Sequence, residues 1–204
     1  MNADRAAVRR AFALAALRLT ALFAVTFYGA DALAAMRPER WRVHFGWELA
    51  IPYWPGFYLP YLSVFAVPFL ALRLPTALAV RRWEYRMAVA VLVSSMVFVA
   101  FPAELGFAQG SAQAWQPVAD LTRWVSGRYN LLPSLHVALT QITLAAVWGG
   151  AGKPTRVLLA MWYVLLVVSV LLTHQHHVAD VAAGMLLAWA VGRWPAAGRR
   201  SRPG

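Results

Sequence analysis

Four of the five histidines fall in two short stretches, and both stretches carry residue types suited to acid–base and nucleophilic chemistry. The first is Asn130-Leu-Leu-Pro133-Ser134-Leu-His136. Pro133 and Ser134 read as a helix start, with Ser134 as N-cap. His136 then falls in the first turn, where free N–H groups and the helix dipole favour an anion. A histidine there can act as general acid toward a phosphate leaving group. The second stretch is Thr173-His174-Gln175-His176-His177-Val-Ala-Asp180. His176 and Asp180 are four apart and share a helical face. A carboxylate on one imidazole nitrogen orients the ring and makes the other nitrogen a better nucleophile. His177, three residues from Asp180, can reach it too, and spacing does not choose between the two histidines. The bland reading is that edge histidines bind water and headgroups. A metal is disfavoured, because the chain has no cysteine and no second carboxylate lies nearby to complete a shell.

These residues need elements to hold them, and the composition says what kind. The chain is 204 residues long, 61% hydrophobic and only 13% charged, with mean hydropathy +0.55. Soluble domains carry about 25% charged residues, so this is a membrane protein rather than a soluble or disordered chain. The absence of cysteine excludes a disulfide scaffold, thiolate catalysis and iron–sulfur clusters. The length fits one domain, 1–204. Apolar runs mark six spans, at about Leu14–Met36, Phe57–Leu72, Met87–Phe107, Leu135–Trp148, Val157–Leu172 and Val178–Trp194. Residues 1–13 then form a cytoplasmic N-terminus and 195–204 a basic tail. Turn signals at Arg37-Pro38, Pro52 to Pro55, Leu74-Pro75 and Gly149 to Pro154 separate the spans. Arg5, Arg9 and Arg10 before an apolar stretch ending Ala32-Leu33-Ala34 also resemble a secretory signal, but Arg18 and the length of the stretch favour a retained helix.

The net charge of +11 comes from eighteen Arg and one Lys, concentrated between the apolar runs. That placement excludes a nucleic-acid surface and matches the positive-inside rule. Six spans put fourteen of these cations on one side and five on the other. The expected topology has both termini cytoplasmic and both histidine stretches on the outer face. The Arg- and Ala-rich composition suits a bacterium of high genomic GC content, and hence an inner membrane with the site facing the periplasm or exterior.

Pro133-Ser134-Leu135-His136, then Ser169 and His176-x-x-x-Asp180, resembles the type 2 phosphatidic acid phosphatase superfamily. That superfamily is marked by Lys-x6-Arg-Pro, Pro-Ser-Gly-His and Ser-Arg-x5-His-x3-Asp. The likeness runs through the last four spans and implies an all-α six-helix bundle. It also implies that His176 attacks phosphorus to form a phosphohistidine, Asp180 orients it, and His136 protonates the leaving oxygen, with no metal and no cofactor. The departures concern cations. Aligned on Pro102, Ser94 and Phe101 stand where the family has Lys and Arg, and Val170 replaces the Arg after Ser169. A phosphodiester carries one charge where a monoester carries close to two, so losing charge-assisted donors costs a diester substrate less.

That pattern is similar to the sphingomyelin synthase and inositolphosphorylceramide synthase branch, as is Ile51-Pro52-Tyr-Trp-Pro55 leading into Phe57-Tyr58-Leu-Pro60-Tyr61. An interfacial aromatic belt accounts for the same segment equally well. The expected activity is transfer of a phospho-headgroup between membrane lipids. Arg123 and Arg128 are expected to replace the missing charge, and Ser134, Asn130 and Ser169 to line the substrate site. A lipid-phosphate or polyprenyl-pyrophosphate phosphatase is the first alternative. The second is a transporter or helper subunit, which the near absence of mid-span polar residues disfavours.

Overall fold

The computed structural model describes residues 2–108 and 110–193. It is built from helices, and no strand occurs among the described residues. Helix α1 spans Asn2–Ala35 and packs most extensively on α3, Ala77–Ala100. Between them, Pro55–Arg73 is a helical segment made of short 3-10 turns around one brief α-helix, α2, Tyr58–Leu62. The amphipathic α4 covers Gln116–Ser126, and α5 (Leu135–Trp148), α6 (Lys153–Leu172) and α7 (Val178–Arg193) follow. Ala3–Ala35, Pro55–Arg73, Ala77–Ala100 and Lys153–Leu172 are long and apolar enough to cross a membrane. At 1.5 Å per residue α5 and α7 extend only about 21 and 24 Å, short of a hydrocarbon core of about 30 Å.

The expected boundaries shift for identifiable reasons. Helix α3 begins ten residues before Met87 because Thr76 caps it, accepting the Ala79 N–H at 3.1 Å. The charged residues 81–86, read as loop, are its first turns. It ends at Phe101-Pro102 rather than Phe107, since a residue before proline leaves helical backbone geometry. Pro60 and Pro68 remove N–H donors from the second apolar run, which therefore forms no continuous α-helix. Helix α6 starts at Lys153, four residues before Val157, because Pro154 fits a first helical turn. Residues 2–13, expected as a tail, belong to α1, and Val8 and Phe12 are buried in the core. Trp194 and the basic stretch 195–204 lie outside the described residues.

Cross-links between helices define two ends. At one end Arg18 makes a bidentate pair with Glu84 at 2.6 and 3.0 Å. Arg86 donates to the Gly192 carbonyl at 3.0 Å, and Arg156 caps α5 through the Trp148 carbonyl at 3.0 Å. Arg18, which interrupts the first apolar run, thus has its counter-ion on α3. At the other end, the connections after α1, α3 and α6 meet. Trp41 and Glu104 pair across residues 102–104, with Trp41 N–H to Pro102 at 2.9 Å and Glu104 N–H to Trp41 at 3.0 Å. The Trp54 N–H reaches the Leu172 carbonyl at 2.8 Å. Two separate backbone pairings thus tie the residue 36–54 connection to its neighbours.

Candidate active site

All five histidines gather at this second end. Helix α5 brings His136, the turn between α6 and α7 brings His176, and α7 brings Asp180. His176 thus lies just before the helix and not on a shared helical face as its spacing to Asp180 predicts. The two helices can approach closely because position 184 is glycine: a Cβ there would lie 2.5 Å from the Ser134 carbonyl oxygen. Beside that contact the Ser134 N–H donates to the Asp180 carbonyl at 2.9 Å. The Ser134 side chain caps α5 through the Val137 N–H. The predicted helix start is therefore observed, and the same serine joins the two site helices.

The His136 and His176 rings lie 5.7 Å apart, centroid to centroid, edge toward face. His176 is buried, whereas His136 keeps partial exposure. Behind His176, the fully buried Asp180 places Oδ2 at 3.5 Å from Nδ1. The contact is not a hydrogen bond: His176 Nδ1 and Asp180 Oδ1 are both buried without a hydrogen-bond partner. Asp180 Oδ2 also accepts the His177 backbone N–H at 2.8 Å. His176 is thus backed by a carboxylate on its Nδ1 side, and among the described residues no hydrogen bond engages its other nitrogen. On its far side His136 meets Tyr61, ring centroids 4.2 Å apart. The Tyr61 hydroxyl is bonded to Ser126 of α4 at 2.9 Å.

His177 stands differently. Its Nδ1 is 3.0 Å from Glu48 Oε2, and its Nε2 accepts the Gly106 N–H at 3.0 Å. Because a backbone N–H can only donate, the proton must sit on Nδ1. Both ring nitrogens are occupied, so His177 has no lone pair to offer an electrophile. Of the two histidines that spacing leaves open, His177 is the one with both ring nitrogens engaged. Burial holds the His177 imidazole below its ordinary pKa, which keeps it neutral. His174 is neutral for the same reason and bonds the Ile51 carbonyl at 2.9 Å. It ends α6 with φ of +55°, a conformation that histidine tolerates better than most residues.

The other expected site residues are placed as follows. Asn130 is buried and donates its amide to the Phe27 carbonyl at 2.7 Å, tying the third connection to α1, while its Oδ1 has no partner. Ser169 is buried on α6 and donates to the Leu166 carbonyl at 2.6 Å. Its proton is spent within the helix. Arg123 pairs with Asp120 on the exposed face of α4. Arg128 is exposed, its guanidinium 5.7 Å from the Tyr129 ring, and its backbone N–H donates to Asp31 at 2.8 Å. Neither arginine contacts His136 or His176, so the expected replacement of the missing cations is not formed here. Helix α4 is the reason for Arg123: its periodicity puts Asp120 one turn away as a nearer partner.

Sequence reasoning missed Glu48. It is one of two fully buried carboxylates among the described residues, the other being Asp180. The signal was the single acid in the apolar, aromatic stretch 45–62, which is costly unless it is paired. No group of three or more His, Asp or Glu among the described residues is arranged to hold a metal ion. No family model, curated protein or solved structure matches this chain.

Proposed function

We propose that this protein is a membrane lipid phosphotransferase of the type 2 phosphatidic acid phosphatase kind, working through a phosphohistidine on His176. The observation that carries the reading is the pairing of His136, from the first turn of α5, with His176, from the turn before α7, 5.7 Å apart, with Asp180 behind His176. The residues that resemble the superfamily motifs supply this trio, although they lie forty residues apart in sequence.

In the proposed reaction His176 Nε2 attacks phosphorus, and an N–P bond forms as the P–O bond to the leaving alcohol breaks. His136 takes up a proton as the anionic phosphate binds beside it and gives that proton to the leaving oxygen. It then removes the proton of the acceptor hydroxyl as that oxygen displaces His176. Asp180 keeps the His176 ring oriented and stabilises the charge it gains. The preferred donor is a phosphodiester lipid and the acceptor a lipid alcohol, because among the described residues no cation contacts the pair to neutralise a dianion. With water as acceptor the same steps give a phosphatase. In the bilayer, α5 and α7 join the four longer helices as six spans. Both termini then face the cytoplasm, the cation-rich end lies inside, and the histidines lie at the outer edge of a bacterial inner membrane.

Purified protein in detergent is the test, with fluorescent phosphatidic acid and a fluorescent diester such as phosphatidylinositol or phosphatidylethanolamine. Diacylglycerol or a new phospholipid from the diester, lost in His176→Ala, is the expected result. Phosphate released from the monoester alone would replace transfer by hydrolysis. Turnover unchanged by His176→Ala would reject the nucleophile, and no turnover of either lipid would leave a non-catalytic helper.

A further inference from the structure

Glu48 lies 129 residues before His177 and is fully buried with it. Its carboxylate receives three donors: the Phe45 N–H on Oε1 at 3.1 Å, and on Oε2 the His177 Nδ1–H at 3.0 Å and the Val178 N–H at 2.9 Å. A helix start leaves several N–H groups without partners. Here two carboxylates take them, Glu48 at residue 178 and Asp180 at residue 177. The His177 ring is also gripped on its faces, 4.5 Å from Phe107 and 4.9 Å from His44. The Gly106 N–H completes the clamp, and a Cβ at 106 would press on the His44 ring and force it to move.

The residue immediately before this clamp is His176. With the N–H groups of 177 and 178 and both nitrogens of the His177 ring held, the backbone carrying His176 cannot shift without breaking several bonds at once. We infer that Glu48 is the positioning residue of the His176–Asp180 pair: it fixes His177 as the Nδ1-protonated tautomer and, through it, holds the start of α7 so that His176 faces His136. This rests on the reading of His176 as nucleophile, and it adds a residue from the first connection to the site. Glutamine cannot replace Glu48, because it has one oxygen where three donors converge, and its NH2 would face one of them.

Two measurements on the full-length protein in detergent test the inference. In 15N-histidine NMR, His177 should carry its proton on Nδ1, with Nε2 unprotonated, and Glu48→Gln should abolish that signature and shift the His176 resonances. In lipid turnover, Glu48→Gln should lower kcat tenfold or more while KM changes less than twofold, since misplacement of a reacting group by about 1 Å can cost 10²-fold. Glu104→Gln, which removes an acid whose side chain pairs with Arg42 and bonds no histidine, should leave both constants unchanged. Should Glu48→Gln fail to fold, Gly106→Ala loosens the same clamp with Glu48 in place, and its kcat should also fall. A folded Glu48→Gln or Gly106→Ala with wild-type kcat would overturn the inference, as would a His177 protonated on Nε2. If wild type turns over no lipid, the functional reading fails by itself, and the NMR signature still decides whether Glu48 holds His177.

Discussion

Gly184→Ala should damage the site from a distance. The added Cβ would lie 2.5 Å from the Ser134 carbonyl oxygen, 3.2 Å from the Val137 Cβ and 3.4 Å from the Ser134 carbonyl carbon. Two of the three are backbone atoms, which cannot rotate away as the tip of a side chain could. To reach ordinary contact near 3.4 Å, α5 and α7 must separate by about 0.9 Å at this level. Overpacking of this kind costs about 1–3 kcal/mol. The same retreat stretches the 2.9 Å bond from the Ser134 N–H to the Asp180 carbonyl and adds about 1 kcal/mol. His136 lies two residues beyond Ser134 and moves with it, away from His176, so turnover should fall on the order of 10²-fold. Gly29→Ala is the control. Its Cβ meets nothing within 4 Å in the interior of α1, and alanine there should stabilise by up to about 1 kcal/mol. Thermal unfolding in detergent and diester turnover would be measured on both variants. A Gly184→Ala protein with wild-type melting and turnover would refute the claim that close α5–α7 contact sets the histidine geometry.

Asp31 accepts the N–H groups of Arg128 and Tyr129, both at 2.8 Å, and leans against Gly127, whose φ is +70°. Asp31→Ala should cost about 1–3 kcal/mol and expose residues 127–130 to limited proteolysis, and an unchanged digestion pattern would contradict this. Arg18→Glu should lower the melting temperature, and the swap Arg18→Glu/Glu84→Arg should restore most of it, since the pair joins α1 to α3. A swap no better than the single variant would show that the pair contributes nothing. His174 and His177 are held neutral below their ordinary pKa, His177 mainly by burial that outweighs the pull of Glu48 and Asp180, with His44 adding to the depression. Their unfolded forms bind protons more readily, so stability should fall as pH drops below about 6.5 and recover above it. Melting curves from pH 8 to 5 should slope down, and less steeply in His174→Gln; a flat profile would contradict the burial argument.

The trio His136, His176 and Asp180 was legible because its signals are local: a helix start, a histidine four residues before an aspartate, and two stretches that charge counting put at one end. The shared helical face was not, since α7 begins only at Val178. Ser134 as a cap and the bounds of α5 followed from the same local rules. What was hidden is what partners do across the chain. Residues 81–86 look like a loop by charge, yet Glu84 answers Arg18 and Arg86 answers Gly192, so they belong in a helix. Counting apolar residues made the second run a helix, and its prolines broke it. Helix α4 is too short and too polar to stand out by hydropathy, yet it takes Arg123 from the histidines and presents Ser126 to Tyr61. Glu48 and His177 are 129 residues apart, and no spacing rule connects them.

The central claim, a covalent intermediate on His176, is tested most directly by trapping it. Protein incubated briefly with a phosphodiester lipid labelled at phosphorus would be quenched in denaturant, digested and mapped by mass spectrometry. An acid-labile, base-stable phosphoryl adduct on His176, absent from His176→Ala and accumulating in His136→Ala with a donor activated enough to leave unprotonated, is the predicted result. An adduct on His177 or on a serine, or turnover with no adduct in any variant, would contradict it.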